Sequence, residues 1–430
     1  MNPGGRTYAD TVRFLFSLGH ELKVVKWDLE RMRVLLAELG DPHKRGRFVH
    51  VAGTNGKGSV CALMESALRA SGLRVGLYTS PHLVSPRERI VVDGRMISED
   101  DWVAAFDAVH AASEKLLATE AIDAHPSFFE TVTAMAFVAF AQAGVEMVVL
   151  ETGLGGRLDA TNVVEPEVAV ITPIDFDHEA FLGSAIESIA AEKAGILKPG
   201  RPAVFAAQRP EALRVLENRA LELGIAVRHS SDWRVEDLRL GRYGSRFVLV
   251  RDEELPVECA LPGAHQVENV RTAVAALSFL GTPEAAIRAG IARARWPGRL
   301  ERVHSRPDII LDGAHNPAGA RALAAYIREF FAGEPVRLIF GAMRDKAVEE
   351  VTNTLFPLAT EIVLAAPNQP RSLNSEALEE MAAPAAGSTA IVIAPSVGPA
   401  LERVIERPMT TFVTGSLFLV GEAKAWFDGR

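Results

Sequence analysis

The fold is decided by the stretch Val51-Ala52-Gly53-Thr54-Asn55-Gly56-Lys57-Gly58-Ser59. An apolar run at residues 48–52 leads into it, and apolar residues at helical spacing follow it over residues 59–71. A strand, a glycine-rich turn and a helix start form a phosphate-binding loop when they come in this order. The glycines let backbone N–H groups close on phosphate oxygens, and the helix N-terminus favours an anion. The stretch therefore predicts a nucleotide site at the end of a buried strand, and we call residues 53–59 the phosphate loop.

The phosphate loop also offers two chemically active side chains. Lys57 supplies a positive charge for phosphate, and Ser59 supplies a hydroxyl that can ligate Mg²⁺. In the strict Walker pattern Ser or Thr follows the lysine directly, whereas Gly58 stands between them here. The loop is therefore a variant of that motif. The alternative, a glycine-rich turn without a ligand, is disfavoured by the strand and helix patterns on either side.

Composition narrows the class of protein. A chain of 430 residues predicts two or three domains. Its net charge of −9 argues against a protein that coats nucleic acid or an anionic membrane, so we expect neither as a partner. The two cysteines, Cys61 and Cys259, cannot form a disulfide framework, which fits a cytoplasmic protein. The longest apolar stretch, residues 134–150, contains Gln142 and Glu146 and predicts a buried helix and strand instead of a membrane span.

Strand-like apolar runs alternate with helical patterns along most of the chain. This alternation predicts an α/β fold with a mostly parallel sheet and helices on both of its faces. Segment 234–257 alternates polar and apolar residues, which predicts an antiparallel excursion at one edge. A fresh α/β series begins near residue 297. We therefore expect a large P-loop-type domain over residues 1–296 and a smaller Rossmann-like domain over residues 297–430.

Polar side chains directly follow two of the predicted strands, where ligands bind in open α/β sheets. Glu151 ends the apolar run at 147–150, and a carboxylate there can ligate a divalent cation. His178 follows the run at 168–172, and a neutral imidazole can also bind a metal. Taken alone, Glu151 could cap a helix and His178 could be structural. Together with the phosphate loop, they favour a metal-assisted nucleotide site.

Four more charged or titratable residues are candidates for the site. Lys193 lies on a predicted helix that is apolar on one side, which predicts partial burial; the alternative is a surface lysine paired with Glu192. Arg299 stands at the expected domain boundary, and Asp312 and His315 follow a strand of the second domain. An arginine can grip phosphate bidentately. For each residue of the second domain alone, a simple turn is the alternative.

Nine blocks of sequence stand in an order and spacing that resemble the folylpolyglutamate synthase/dihydrofolate synthase family, a branch of the Mur-type ligases. The blocks are residues 53–59, 79–83, 151–163, 175–178, 192–196, 261–266 with Asn269, 296–301, 311–317 and 413–417. The blocks at 79–83 and 296–301 point to the folate branch instead of the cell-wall ligases. Residues 341–347 depart from the family pattern, because Ala347 stands where an acidic residue is expected, although Asp345 and Lys346 keep the usual pair.

The resemblance implies an ATP-dependent reaction in three steps. ATP phosphorylates the carboxylate of dihydropteroate or of a folate glutamyl tail, the amine of L-glutamate attacks the acyl phosphate, and phosphate leaves. Mg²⁺ and Lys57 would offset the charge on the transferring phosphoryl group. The resemblance also leaves room for a monovalent cation. It places ATP and pteroate binding in the first domain and glutamate binding in the second, in a protein expected to be a monomer.

The resemblance also implies roles for individual residues. The residues expected to ligate Mg²⁺ are Ser59, Glu151 and His178. Those expected to bind the nucleotide are Thr54, Asn55, Gly56, Lys57, Gly58, Ser59, Val60, Asn269, Arg299 and Asp312. Those expected to line the pteroate site are Leu29, Glu30, Arg31, Ser80, Phe128, Phe129, Glu130, Arg157, Leu158 and Asp159. Those expected to act in catalysis are Lys57, His315 and Lys193, the last of which matches a lysine that the family carbamylates.

Two other functions compete with a folate ligase. A cell-wall amino-acid ligase would need a UDP-sugar site, which the pteroate-side blocks argue against. A nucleotide-dependent switch would not need Arg299, Asp312 and His315 on a second domain. Thr414 and Ser416 are candidates for the glutamate pocket, because they end the last predicted strand. The sequence leaves open whether the enzyme makes dihydrofolate, extends the glutamyl tail, or does both, and we favour both.

Overall fold

The computed structural model of the chain describes residues 5–19, 28–344 and 347–429, with Ala180 described by its backbone alone. Asp345 and Lys346 of the block at 341–347 therefore lie outside the described residues. The helices are α1 Tyr8–Ser17, α2 Glu30–Glu38, α3 Lys57–Ala70, α4 Glu99–Ala118, α5 Phe128–Gln142, α6 Glu179–Leu182, α7 Ile186–Ala194, α8 Pro210–Leu223, α9 His265–Phe279, α10 Glu284–Arg293, α11 Pro317–Phe330, α12 Val348–Leu355, α13 Ser375–Ala386, α14 Val397–Glu406 and α15 Leu417–Asp428.

The strands alternate with these helices, as the sequence predicts. They are β1 Arg47–Ala52, β2 Val75–Tyr78, β3 Ile90–Val92, β4 Arg95–Met96, β5 Met147–Glu151, β6 Val168–Ile171, β7 Ala203–Phe205, β8 Val227–His229, β9 Arg234–Gly241, β10 Gly244–Val250, β11 Glu254–Cys259, β12 Glu301–His304, β13 Ile309–Leu311, β14 Val336–Phe340, β15 Glu361–Ala365, β16 Ala390–Ala394 and β17 Thr410–Thr414.

The first sheet has eight strands in the order β4-β3-β2-β5-β1-β6-β7-β8. The strands from β2 to β8 in this order are parallel, and β3 and β4 are antiparallel additions at one edge. Phe48 and Leu150 lie in a core shared with α4 and α5. Val49 and Val149 point to the opposite face and are also fully buried. Helices therefore cover both faces, which confirms the predicted architecture.

Segment 234–259 forms a separate three-stranded sheet in the order β11-β10-β9. Two residues connect β9 to β10 and three connect β10 to β11, and connections this short join antiparallel neighbours. The burial of β11 alternates along the strand, as expected for a sheet with one face packed and one exposed. The predicted antiparallel excursion is therefore confirmed, although it forms its own sheet instead of extending the large one.

The last sheet has six strands in the order β12-β13-β17-β14-β15-β16. Its strands are parallel except for β12, which pairs antiparallel with β13. The helices α11, α12 and α13 share a core with this sheet that includes Leu323, Val351 and Leu378. A second, smaller α/β domain at the C-terminal end is thus confirmed.

The chain divides into two compact units. The first comprises residues 1–234, 249–255 and 268–293, and the second comprises residues 235–248, 256–267 and 294–430. A single boundary after residue 296 stays a prediction. Among the described residues, none of the helices combines the length and apolar character that a bilayer crossing requires.

Candidate active site

Four neighbouring strands of the first sheet end next to one another and lead into predicted site residues. In the order β2, β5, β1 and β6, they lead to Ser80, Glu151, the phosphate loop and the segment that contains His178. The register pairs Val51 with Glu151, so that the phosphate loop begins level with the end of its neighbour. Ligands bind at this edge of open parallel sheets.

The phosphate loop is anchored to the segment that follows β6. The backbone N–H groups of Thr54 and Asn55 donate to the Pro173 carbonyl at 3.0 and 3.2 Å. Thr54 Oγ1 donates to the Asp175 carbonyl at 3.0 Å and accepts from the Asp175 N–H at 3.1 Å. These bonds fix the first half of the loop, and the first turn of α3, which begins at Lys57, forms the second half.

A glycine is required at position 56 of the loop. Gly56 has a φ of +87°, and a Cβ there would lie 2.4 Å from Asn269 Oδ1. Asn269, to which the resemblance assigns a role in nucleotide binding, therefore lies directly against the phosphate loop. Ser59 and Val60, on the first turn of α3, are buried behind it.

Lys193 is buried against the phosphate loop, with 4% of its surface exposed. Its Nζ donates to the Gly53 carbonyl at 2.8 Å. The ammonium of Lys57 approaches the same carbonyl at 3.2 Å and the Thr54 carbonyl at 3.3 Å. Two lysine side chains thus share one backbone acceptor at the start of the loop.

This environment changes the protonation of Lys193. Burial, and then the charge of Lys57, lower the pKa of Lys193 to about 7, while Asp177 and Asp159 act weakly in the opposite direction. The alternative of a surface lysine paired with Glu192 is wrong, because Glu192 accepts from Arg157 at 2.9 Å. Lys193 instead points toward the sheet and the phosphate loop.

The three predicted metal ligands all lie at the carboxyl edge of the sheet. Glu151 is buried, and its Oε2 accepts from the Ser80 N–H at 3.1 Å. His178 has a φ of +52° directly after Asp177, and 30% of its side chain is exposed. A buried carboxylate, the Ser59 hydroxyl and a partly exposed imidazole fit a divalent cation by their chemistry.

Asp159 organises the glycine-rich segment after β5. Its Oδ2 accepts from the N–H groups of Gly153 and Leu154, both at 2.9 Å, and its Oδ1 accepts from the Thr161 N–H at 3.0 Å. Thr161 Oγ1 also contacts Asp159 and lies 2.8 Å from Nε2 of the buried His50. Burial raises the pKa of Asp159, and these hydrogen bonds oppose that rise. Asp159, which is predicted to bind substrate, thus stabilises the conformation of the glycine-rich segment in which it lies.

Arg31 is the best-defined residue on the predicted pteroate side. It is buried and contacts Asp123 at 3.1 Å and Glu130 at 3.5 Å. Its neighbour Leu29 is the buried N-cap residue of α2, and the exposed Glu30 is the first residue of that helix. Arg31 and Glu130, which are far apart in the sequence and both predicted for the site, are therefore brought together.

The two predicted aromatic residues are not equivalent. Phe128 is fully buried, and the Arg89 guanidinium lies 5.2 Å from its ring centre. Phe129 is only partly buried, and a Cβ on Gly153 would lie 2.5 Å from its ring. Phe129 therefore lies beside the glycine-rich segment, close to Tyr78. Of the remaining residues on this side, Arg157 is exposed, and Ser80 and Leu158 are partly exposed.

The predicted residues of the second unit form a cluster of their own. Asp312 is buried and accepts from the N–H groups of Leu300 and Ala314 at 3.0 and 3.1 Å. Burial raises the pKa of Asp312, and the charge of Arg299 opposes that rise. The Nδ1 of His315 lies 2.7 Å from the Gly313 carbonyl. Arg299, Asp312 and His315 are thus close together around the end of β13.

The comparisons with known proteins agree with this geometry. The chain matches the Mur ligase middle domain over residues 51–277 and the Mur ligase glutamate ligase domain over residues 298–417. It is 40% identical over 361 residues to the dihydrofolate synthase/folylpolyglutamate synthase of Bacillus subtilis, covering 81% of this chain and 83% of that protein. The chain belongs to the folylpolyglutamate synthase/dihydrofolate synthase family. It is an ATP-dependent ligase of the Mur type.

Solved structures of this family have the same fold. The Mycobacterium tuberculosis folylpolyglutamate synthase complexed with ADP superimposes with a TM-score of 0.91 at 33% identity, covering 98% of both chains. Escherichia coli FolC in complex with DHPP and ADP superimposes with a TM-score of 0.87 at 32% identity, covering 99% of this chain and 98% of that chain. The family membership favours the ligase over both alternatives, the cell-wall ligase and the nucleotide switch.

Several residues that shape the site of this synthase-family ligase are absent from the sequence prediction. Asp123 lies in an irregular segment without a motif, and its link to the site is the contact with the remote Arg31. The sequence predicts for His50 only a place in a buried strand, whereas in the structure its side chain supports Asp159 through Thr161. His265 lies in a recognised block without an assigned role, and burial and the nearby Arg299 lower its pKa to about 4. Their chemistry depends on partners that are remote in the sequence.

Proposed function

We propose that this ligase adds L-glutamate both to dihydropteroate and to the glutamyl tail of folates. The buried Lys193 amine beside the phosphate loop is the observation that best supports the ligase chemistry, and the similarity to a dihydrofolate synthase/folylpolyglutamate synthase supports the two acceptors. A nucleotide switch has no need for a lysine with a depressed pKa at this position. An enzyme that must form a lysine carbamate needs one, because only the neutral amine reacts with CO₂.

The carbamate forms by a simple addition. The Lys193 nitrogen lone pair attacks the carbon of CO₂, a new N–C bond forms, and one proton is released. With a pKa of about 7, roughly half of the Lys193 side chains are neutral at pH 7. An ordinary lysine would be neutral in only about three or four molecules in ten thousand at that pH. The fraction of neutral, reactive amine is therefore roughly a thousandfold larger for Lys193 than for an ordinary lysine.

The phosphate loop and its neighbours handle the nucleotide. Thr54, Asn55 and the first turn of α3 surround the phosphates, and Lys57 moves from the loop carbonyls to the transferring phosphoryl group. Ser59, Glu151 and His178 would hold Mg²⁺, which would supply positive charge that offsets the charge of the phosphate oxygens. As the family resemblance implies, Arg299 and Asp312 would also bind the nucleotide, and His315 would act on its phosphates.

The acceptor carboxylate is activated as an acyl phosphate. One of its oxygens attacks the γ-phosphorus of ATP, the bond to ADP breaks, and the glutamate amine then displaces phosphate from the acyl carbon. Arg31, with Glu130 and Asp123 holding its guanidinium, positions the pteroate end of the acceptor. Phe129 offers a partly exposed ring for the pterin. The ring of Phe128 is buried, so Phe128 supports the site by packing in the core beneath α5, the helix that also contains Phe129.

The test is a comparison of acceptors. Purified enzyme is assayed with ATP, Mg²⁺ and L-glutamate, with dihydropteroate in one arm and tetrahydrofolate in the other. We expect ADP and phosphate release in both arms, and none when either the acceptor or glutamate is left out. Activity with tetrahydrofolate alone would remove the dihydrofolate synthase half of the proposal. Phosphate release without any acceptor would contradict the ligase mechanism.

A further inference from the structure

A second cluster of possible metal ligands lies outside the active site, in the first unit. His110 and Glu114 are four residues apart on α4, and His125 lies in the segment between α4 and α5. One ligand atom from each of the three residues lies within 4.8 Å of the other two. The i, i+4 spacing places His110 and Glu114 on the same face of the helix.

The ring nitrogens are aimed at the carboxylate. His110 Nδ1 lies 3.9 Å and His125 Nε2 lies 3.8 Å from Glu114 Oε1. In the described part of the chain, both nitrogens are buried and neither makes a hydrogen bond. Around a tetrahedral zinc ion, neighbouring ligand atoms are about 3.3 Å apart. The two nitrogen–oxygen distances exceed this value by about half an ångström, and the two nitrogens lie within 4.8 Å of each other, so side-chain movements of about 1 Å would bring all three atoms to coordination distance of one ion.

The tautomer and the orientation of the rings also fit a metal site. His125 Nδ1 lies 3.1 Å from the Pro126 carbonyl, which fixes the proton on Nδ1 and leaves a lone pair on Nε2. The His110 ring stacks on Phe106, with ring centres 5.4 Å apart and planes inclined by 15°. Phe14 contacts both imidazoles edge to face. Three elements thus hold the rings before any ligand binds.

A positive charge near the cluster is paired with a carboxylate. Next to burial, the charge of Arg6 contributes to the lowered pKa of His110, while Asp107, which pairs with Arg6 at 2.8 Å, acts in the opposite direction. Burial is the main cause that lowers the pKa of His110, which favours the neutral, metal-binding imidazole. Glu114 adds a negative charge to the cluster. Its side chain is 58% exposed, so that water can reach the remaining coordination position.

We propose that His110, Glu114 and His125 form a site for a borderline transition-metal cation such as Zn²⁺. Two imidazoles, one carboxylate and a water molecule make up a common tetrahedral zinc environment. Two imidazoles among three protein ligands favour a borderline cation over Mg²⁺ and Ca²⁺, which prefer oxygen, whereas the proposed nucleotide-associated site combines a single imidazole with two oxygen ligands.

The metal would tie the end of α4 to the segment that leads into α5. The same segment contains Asp123, which contacts Arg31 at 3.1 Å. Metal binding would therefore brace one side of the proposed pteroate site, a consequence that rests on the proposed function. The metal site itself does not depend on that function, and its test measures binding alone.

The test uses untagged, chelator-treated full-length enzyme that is saturated with Mg²⁺ and ADP. Co²⁺ is titrated as a spectroscopic probe, and Zn²⁺ is then added to displace it. We expect visible absorption bands of four-coordinate Co²⁺ with one equivalent bound, which Zn²⁺ abolishes. We also expect Zn²⁺ to raise the melting temperature of the enzyme.

Glu114→Gln and His125→Gln identify the ligands. Each should weaken Zn²⁺ binding by at least about tenfold, because even changes in the second shell of a metal site cost that much. Asp100→Asn is the matched control, since it removes an exposed carboxylate from the same helix and should leave binding unchanged. Glu114 is exposed, so its variant should fold even if the His125 variant does not. Wild-type Zn²⁺ affinity and stoichiometry in folded Glu114→Gln would overturn the proposal.

Discussion

At the scale of single residues, Lys193 shows how burial prepares a side chain for chemistry at a cost in stability. In unfolded chains its pKa is near 10.5, and in the folded enzyme it is about 7. Between these values the unfolded state binds one more proton than the folded state. The free energy of unfolding therefore rises with pH across this window. Below about pH 7 the full cost of burying the lysine is present.

Lys193→Met should reveal this cost. A shift from 10.5 to about 7 corresponds to roughly 5 kcal/mol, and the lost hydrogen bond to Gly53 reduces the gain from removing the amine. In bicarbonate-free buffer, we expect the variant to be more stable than the wild type at pH 6, with the difference shrinking steadily toward pH 10. Urea unfolding at a series of pH values measures it.

Intact mass separates the pKa effect from the modification. In bicarbonate buffer near pH 8, the wild type should gain the mass of one CO₂ that Lys193→Met does not gain. A pH-independent difference in stability between the two proteins would contradict the depressed pKa. An unmodified wild type under these conditions would contradict the carbamate.

Gly56 tests how closely the phosphate loop must approach its neighbours. In Gly56→Ala the new Cβ would lie 2.4 Å from Asn269 Oδ1, so that either the loop or Asn269 must move. We expect nucleotide affinity to fall by at least about tenfold, equivalent to roughly 1.4 kcal/mol. Calorimetric titration with ADP and Mg²⁺ measures the loss.

Gly72→Ala is a matched control for this substitution. Gly72 has a φ of +92°, close to the +87° of Gly56, but apart from Gly72 and its two chain neighbours, no described atom lies within 4 Å of the position that a Cβ would take there. Both variants should lose about 1–2 kcal/mol of stability to left-handed strain. Only Gly56→Ala should bind ADP more weakly, and equal ADP affinity in both variants would show that the contact with Asn269 does not matter.

At the scale of elements, the N-terminus of α5 connects helix stability to the proposed pteroate site. Ser127 caps this helix by accepting from the Glu130 N–H at 3.3 Å, and Glu130 Oε2 accepts from the Ser127 N–H at 2.8 Å. The same Glu130 oxygen contacts Arg31 at 3.5 Å. A local capping box therefore also fixes the carboxylate that holds Arg31.

Ser127→Ala should affect both properties. The lost cap costs about 1 kcal/mol of stability, and up to about a fivefold rise in the KM for dihydropteroate should follow if Glu130 and Arg31 loosen. Ser98→Ala removes the comparable cap of α4, where Ser98 accepts from the Asp101 N–H at 3.0 Å. It should cost similar stability and leave KM unchanged. Equal KM values in both variants would argue against a role for Arg31 in substrate binding.

At the scale of the whole molecule, the sequence predicts well what depends on local order. The phosphate loop, Glu151 and His178 each follow a buried strand, and parallel strands bring their carboxyl ends to one edge of a sheet. This rule predicts their common location without any coordinates. The amphipathic pattern of the helix around Lys193 likewise predicts that Lys193 is partly buried. It does not predict that Lys193 and Lys57 both contact the Gly53 carbonyl.

Residues whose role depends on a remote partner escape such prediction. His50 and Thr161 are 111 positions apart, and Arg31 and Asp123 are 92 positions apart. Neither pair has a periodic pattern or a motif that links its members. The difference between Phe128 and Phe129 has a similar origin. Adjacent positions on a helix face different directions, and only the tertiary packing decides which ring is buried.

Nucleotide binding should stabilise the first unit, and the contact of Lys57 with the phosphates should contribute to this effect. The rise in melting temperature on adding nucleotide therefore tests whether the phosphate loop binds it. A ligand at one hundred times its Kd stabilises the folded state by about 2.7 kcal/mol. We therefore expect Mg²⁺ and ADP to raise the melting temperature of the wild type by several degrees. Lys57→Ala should lose most of this shift, because its ammonium no longer meets the phosphates.

Lys44→Ala provides the control for that experiment. Lys44 is exposed and pairs with Asp41 at 2.9 Å, so its removal deletes the same positive charge away from the phosphate loop. The Lys44 variant should keep the full ADP-dependent shift. Without nucleotide, Lys57→Ala should also raise the pKa of Lys193, since the charge of Lys57 is one of the causes that depress it. If Lys57→Ala kept the full ADP-dependent rise in melting temperature, Lys57 would have no role in nucleotide binding. If the pKa of Lys193 stayed unchanged in this variant, the two lysines that contact the Gly53 carbonyl would not be electrostatically coupled.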